Sequence, residues 1–81
     1  MDTFSEIKTI IAKLLAIDGD GITEEAHLQF DLGADSLALV NLVIAINEKY
    51  GIELLDEDII ELENIGQLIS MVDSRIGTTR A

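Results

Sequence analysis

The sequence predicts an all-α domain, a four-helix bundle with three longer helices, one short third helix and a long loop between helices 1 and 2. Apolar residues recur at three- and four-residue spacing, the period of helices packed through one face. Capping residues and glycines divide the chain into four such stretches. Its 81 residues allow one small core and exclude a doubly wound nucleotide fold or an enzyme barrel. A single domain is expected over 1–77, with a flexible tail over 78–81.

Phe4, Ile7, Ile10, Ile11, Leu14 and Leu15 share a helical face, and Thr3-x-x-Glu6 ahead of them has the pattern of a capping box. The first helix is therefore expected over about residues 3–16. Asp18-Gly19-Asp20-Gly21 should stop it, since two glycines and two short carboxylates favour turns. A connection then runs to Asp35, with Ile22, Leu28, Phe30 and Leu32 expected as core plugs. Connections this long in a small domain are often functional. The second helix should start at Asp35 or Ser36 and end at Gly51. Asp56 to about Leu62 reads as the short third helix, with acids at its N-terminus. Asn64-x-x-Gln67 opens the fourth, which buries Ile65, Leu68, Ile69, Val72 and Ile76 and is expected to end at Gly77.

Charge narrows the function. Sixteen Asp and Glu against five Lys and Arg give a formal net charge of −11, which repels nucleic-acid phosphates and anionic lipid headgroups. A hydrophobic fraction of 48% argues against disorder. No apolar run approaches the length of a membrane span. Met1-Asp2-Thr3-Phe4 lacks the basic and apolar regions of a signal peptide, so a cytoplasmic location is expected, and a monomer is expected beside it. With no Cys there is no thiolate nucleophile in the polypeptide. The acid is also unevenly placed. Six carboxylates and no Lys or Arg lie in 18–35, six more lie in 52–63, and 36–51 is neutral.

The second helix has two apolar faces. At about 100° per residue from Leu37, the positions Leu39, Leu42, Val43, Ile46 and Tyr50 fall between about 140° and 240°. Leu37, Val40 and Ile44 fall on the other side, between about 300° and 360°. Either the helix is central and packed on most sides, or these three residues form an exposed docking patch. Periodicity leaves both open.

Asp31-Leu32-Gly33-Ala34-Asp35-Ser36-Leu37 carries the chemistry. Gly33 would permit a tight approach to the helix, and Asp35 can cap it, leaving the Ser36 hydroxyl in the first exposed turn. A phosphate ester there would meet unpaired backbone N–H groups and the positive end of the helix dipole. Taken alone, Asp-Ser before an apolar run is also simply a cap.

This stretch resembles the signature of acyl carrier proteins, with Asp35-Ser36-Leu37 as the attachment tripeptide. The resemblance covers about residues 3–76, including the loop with Thr23 and Leu28, the Leu42-Val43 pair and Asp56-Glu57-Asp58. It implies a non-catalytic carrier whose Ser36 bears 4′-phosphopantetheine, installed from coenzyme A by a phosphopantetheinyl transferase that uses a divalent metal. The thiol of the arm would hold acyl groups as thioesters, which answers the missing Cys. Asp35 would orient the transferase or its metal, and Leu37 would contact partners. Docking would use Leu37, Val40, Asn41, Ile44 and Glu48 of the second helix with Asp56 and Glu57 of the third, against enzymes with basic-rimmed surfaces. In such carriers the acyl chain can slip between helices into the core.

Three departures qualify the expectation. Carriers of ordinary fatty acid synthesis commonly have acids where this chain has Ala38 and Asn41, and a Pro where it has Leu55. The docking face is thus less acidic and more apolar, which suits polyketide, lipid-modifying or other specialised enzymes beside those of fatty acid synthesis. An unmodified interaction module, docking through Leu37, Val40 and Ile44 with Ser36 only a cap, is the alternative.

No metal site is expected. Asp18-Gly19-Asp20-Gly21-Ile22 superficially resembles a calcium loop, but its fifth, sixth and twelfth positions are Ile22, Thr23 and Gln29. The same Asp-x-Asp follows no apolar strand that would make it a phosphoryl-transfer site. His27 is the only His and suits a loop or surface role, so Ser36 is not read as a hydrolase nucleophile.

Overall fold

The computed structural model describes the backbone of residues 2–80 and the side chains of 2–77. Helix α1 spans Thr3–Leu15, α2 Ser36–Tyr50, α3 Asp56–Ile60 and α4 Ile65–Arg80, with a 3₁₀ turn at Gly19–Gly21 and no strand among the described residues. Helix α1 packs on α2 and on α4, while the short α3 packs on α2. The radius of gyration, 11.6 Å, is what a compact chain of this length should have.

The helical periods put the expected residues inside. Ile7 and Ile11 of α1, Leu39, Leu42, Val43 and Ile46 of α2, and Ile65, Leu68 and Val72 of α4 are buried. Ile22, Ala26, Leu28 and Ala34 of the long loop join them, as do Ile52, Leu54 and Ile59 around α3. No polar side chain is buried among the described residues, so the core rests on aliphatic packing alone.

The helix ends differ from expectation in instructive ways. Asp2, not Thr3, caps α1, its carboxylate accepting from the Ser5 N–H at 2.8 Å. That N–H holds the Asp2 carboxyl below its ordinary range. Asp is the stronger cap, and moving the cap by one residue releases both members of the anticipated box. The Thr3 hydroxyl donates instead to Asp73 of α4, and the Glu6 carboxylate accepts from the Tyr50 hydroxyl at 2.8 Å, with Lys49 at 4.0 Å. Burial and the neighbouring Glu6 push the Tyr50 phenol up, so it stays a donor. Helix α1 also stops before the Asp-Gly turn, at Ala16 in the left-handed conformation.

Helix α2 ends as predicted, with Gly51 at φ 65°. Helix α3 is shorter than expected, ending at Ile60. Asn64 caps α4 by accepting from the Gln67 N–H at 2.9 Å. That helix does not stop at Gly77. A glycine ends a helix by taking positive φ, which Gly77 does not, and a helical glycine costs only about 1 kcal/mol. Of the expected tail, Ala81 and the side chains of 78–80 lie outside the described residues.

Order in the long loop comes largely from backbone pairing. The N–H groups of Ile65 and Gly66, which have no partner within α4, donate to the carbonyls of Ala26 at 3.0 Å and Glu24 at 2.8 Å. Gly66 makes this approach close, since a Cβ there would sit 3.5 Å from the Glu24 carbonyl oxygen and 3.3 Å from the Asn64 side chain. Phe30 departs most from its expected role, being 84% exposed. The turn over 27–32 sends Leu28 inward and leaves Phe30 stacked on His27 outside.

Candidate functional site

Ser36 is the first residue of α2, placed by the turn before it. Gly33 has φ 76°, a conformation L side chains rarely adopt. Nothing lies within 4 Å of where its Cβ would be, so the glycine serves backbone geometry rather than the close approach anticipated. The buried Ala34 follows, its N–H donating to the Leu28 carbonyl at 2.9 Å. Asp35 then caps the helix, its side chain accepting from the Ala38 N–H at 2.8 Å. The first N–H groups of any α-helix lack intrahelical acceptors, and here those of Ser36 and Leu37 are the ones the cap leaves. The Ser36 side chain is exposed and has no polar partner among the described residues.

A cleft of about 270 Å³ opens beside it, lined by Leu14 and Leu15 of α1, Gly33 and Asp35 of the turn, and Leu37, Ala38 and Asn41 of α2. Under its floor lies a wholly aliphatic recess, sharing Leu14, Leu15 and Ala38 and reaching Ile11, Leu28, Ala34, Leu39 and Leu42. The recess holds only about 10 Å³ of free space, so anything larger than a water enters only if side chains part.

The second apolar face of α2 is a surface. Leu37 is 68% exposed and Ile44 49%, while Val40 is half-buried. Asn41 and Glu48 are exposed on the same helix, as are Asp56 and Glu57 of α3. Helix α3, which carries those two acids, packs on α2. Among the described residues no cluster of His, Cys, Asp or Glu could hold a metal ion. No helix there is long and apolar enough to cross a membrane. His27 takes the loop role expected of it, its Nδ1 accepting from the Gln29 and Phe30 N–H groups.

Residues 5–72 match the family described as the phosphopantetheine attachment site. The chain belongs to that family. It is also 38% identical to an acyl carrier protein of Thermotoga maritima over 76 residues, 94% of each chain. An acyl carrier protein of Helicobacter pylori strain G27 is 38% identical over 73 residues, covering 90% of this chain and 94% of the relative. The chain is thus a carrier rather than a catalyst, and its cofactor is 4′-phosphopantetheine. The family implies interaction with a phosphopantetheinyl transferase and with acyl-handling enzymes. An exposed, unpartnered hydroxyl beside orphan N–H groups and an open cleft fits a phosphodiester-linked arm.

Sequence reading did not find the cleft or the recess. Leu14 and Leu15 are apolar residues on the core-facing pattern of α1, and nothing in their spacing shows that they line an opening.

Proposed function

We propose that Ser36 is the residue that carries 4′-phosphopantetheine and that the chain delivers acyl groups to the enzymes of fatty acid synthesis or of a specialised lipid or polyketide pathway. The observation that carries this reading is the Ser36 hydroxyl itself, exposed and unpartnered at the start of α2. Asp35 keeps it there by capping Ala38, leaving one carboxylate oxygen for the transferase or its metal. The Ser36 and Leu37 N–H groups and the helix dipole favour the negative phosphodiester. When attached, the arm supplies a thiol that holds the acyl group as a thioester. Tethering raises the effective concentration of that group for a docked enzyme, so the chain needs no catalytic residue.

Leu37, Val40, Asn41, Ile44 and Glu48, with Asp56 and Glu57, form the docking face. Acids at its edge steer basic enzymes in, and the small apolar centre keeps docking transient. The neutral Ala38 and Asn41 favour clients that read this face by apolar contact more than by charge. A cytoplasmic monomer suits repeated encounters with several enzymes.

The test is intact mass after incubation with coenzyme A, magnesium and a phosphopantetheinyl transferase. Wild type gains one phosphopantetheine and Ser36→Ala gains none. A wild-type chain left unmodified where a control carrier is loaded makes it an interaction module instead.

A further inference from the structure

Phe30 is the most exposed large apolar side chain among the described residues, at 84%. Single exposed apolar residues are ordinary and often mobile. Phe30 is held. The His27 Nδ1 accepts from the N–H groups of Gln29 at 3.1 Å and Phe30 at 3.2 Å. The Asp31 carboxylate accepts from the His27 N–H at 2.7 Å, and the His27 carbonyl accepts from Asp31 and Leu32. The phenyl ring stacks on the imidazole so fixed, centroids 4.4 Å apart and planes 29° from parallel. A ring already oriented loses little freedom when a partner covers it, which is the property of a binding anchor.

Its surroundings select the partner. Residues 18–35 hold six carboxylates and no Lys or Arg, and Glu24, Glu25, Asp31 and Asp35 are all exposed. An anionic membrane or a nucleic acid would be repelled, whereas a protein pocket with an apolar floor and a basic rim is complementary. Position selects it further. The Ala34 N–H to Leu28 carbonyl bond folds the loop back, so Phe30 and Ser36 lie within roughly 20 Å of each other along the shortest path. A standard interface covers about 800 Å² per partner, roughly 30 Å across. An enzyme engaged at Ser36 therefore has Phe30 within one footprint.

We infer that Phe30 is a specificity anchor for the phosphopantetheinyl transferase that loads Ser36, its ring seated in an apolar pocket rimmed by Lys and Arg. The inference rests on the carrier reading of Ser36. The experiment measures loading of the full chain by the transferase of its own organism, with a transferase of broad carrier range as a control. Phe30→Ala raises KM for the carrier about tenfold, the effect of leaving one such side chain in water. It leaves kcat and the thermal midpoint unchanged, because the ring is exposed and does not support the fold. Phe30→Tyr, which keeps the ring, stays near wild type. Phe30→Glu does no better than Phe30→Ala, although it adds charge complementary to a basic surface. An unchanged KM for Phe30→Ala overturns the anchor, as does a Phe30→Glu chain that matches wild type. A wild-type chain that neither transferase loads overturns the reading of Ser36 instead.

Discussion

Ala16 closes α1 at φ 56° and ψ 45°, with its N–H donating to the Ala12 carbonyl. In that conformation the Cβ crowds the backbone, which costs roughly 1–2 kcal/mol and explains why glycine usually stands there. Ala16→Gly is expected to stabilise the protein by about 1 kcal/mol, the relieved crowding outweighing the added freedom of the unfolded chain. For a domain of this size that raises the thermal midpoint by about 4–8 °C. A melt showing no rise would mean that the strain has already been relaxed elsewhere. The same residue shows a limit of sequence reading. The expected end near residue 16 is met, but composition names the glycines at 19 and 21 as the stop, whereas the chain turns at Ala16 itself. Among the loop hydrophobics, Ile22 and Leu28 are buried and Leu32 half-buried, so the plugs were legible as a group. Phe30 was not, since a local hydrogen-bonded turn decides its direction and leaves no mark in hydropathy.

At the scale of elements, what was most legible is what rests on local chemistry. Helix α2 could be read nearly to the residue, from Asp35 as cap to Gly51 in positive φ. The position of α3 was less legible, because contacts distant in sequence fix it. Asn47 pairs with the Leu54 backbone twice, donating to its carbonyl at 3.0 Å and accepting from its N–H at 2.8 Å. From α4, Arg75 donates to the Glu53 carbonyl at 3.1 Å and lies 3.7 Å from the Asp58 carboxylate, which itself accepts from the Leu55 N–H. Asn47→Ala leaves both backbone groups of the buried Leu54 unpaired, at about 1–3 kcal/mol. Denaturant titration should show that loss of stability with an unchanged slope. Arg75→Ala should do much less, as its ion pair is exposed to solvent. A harmless Asn47→Ala would mean that water replaces the side chain at no net loss.

Over the whole molecule, charge and apolar surface are divided between regions. Acid gathers in the loop before Ser36 and around α3, while 36–51 is neutral and exposes Leu37 and Ile44. Charge blocks could be counted from the sequence. Whether Leu37, Val40 and Ile44 faced solvent or another helix could not, because periodicity gives directions around an axis and not what lies along them. Ala38→Asp with Asn41→Glu is expected to increase affinity for basic fatty-synthase enzymes at low ionic strength. The gain should fade as salt shortens the screening length to about 10 Å near 0.1 M. Position 38 is in the first turn of α2, where an acid suits the helix dipole. Ala38 also lines the aliphatic recess, so a melt of the double variant accompanies the affinity measurement. Equal affinity of wild type and double variant at low salt would show that apolar contact alone governs the encounter.

The loop that leads to Ser36 is fastened to α4 through the carbonyls of Glu24 and Ala26. Every amino acid supplies that atom. Thr23, Glu24 and Glu25 point their side chains into solvent, so their identity is released from the task of holding the loop in place. A lineage can therefore rewrite the lettering on this stretch without disturbing the frame that presents the serine. The chain can acquire new clients by drift at its surface while its anchoring stays constant.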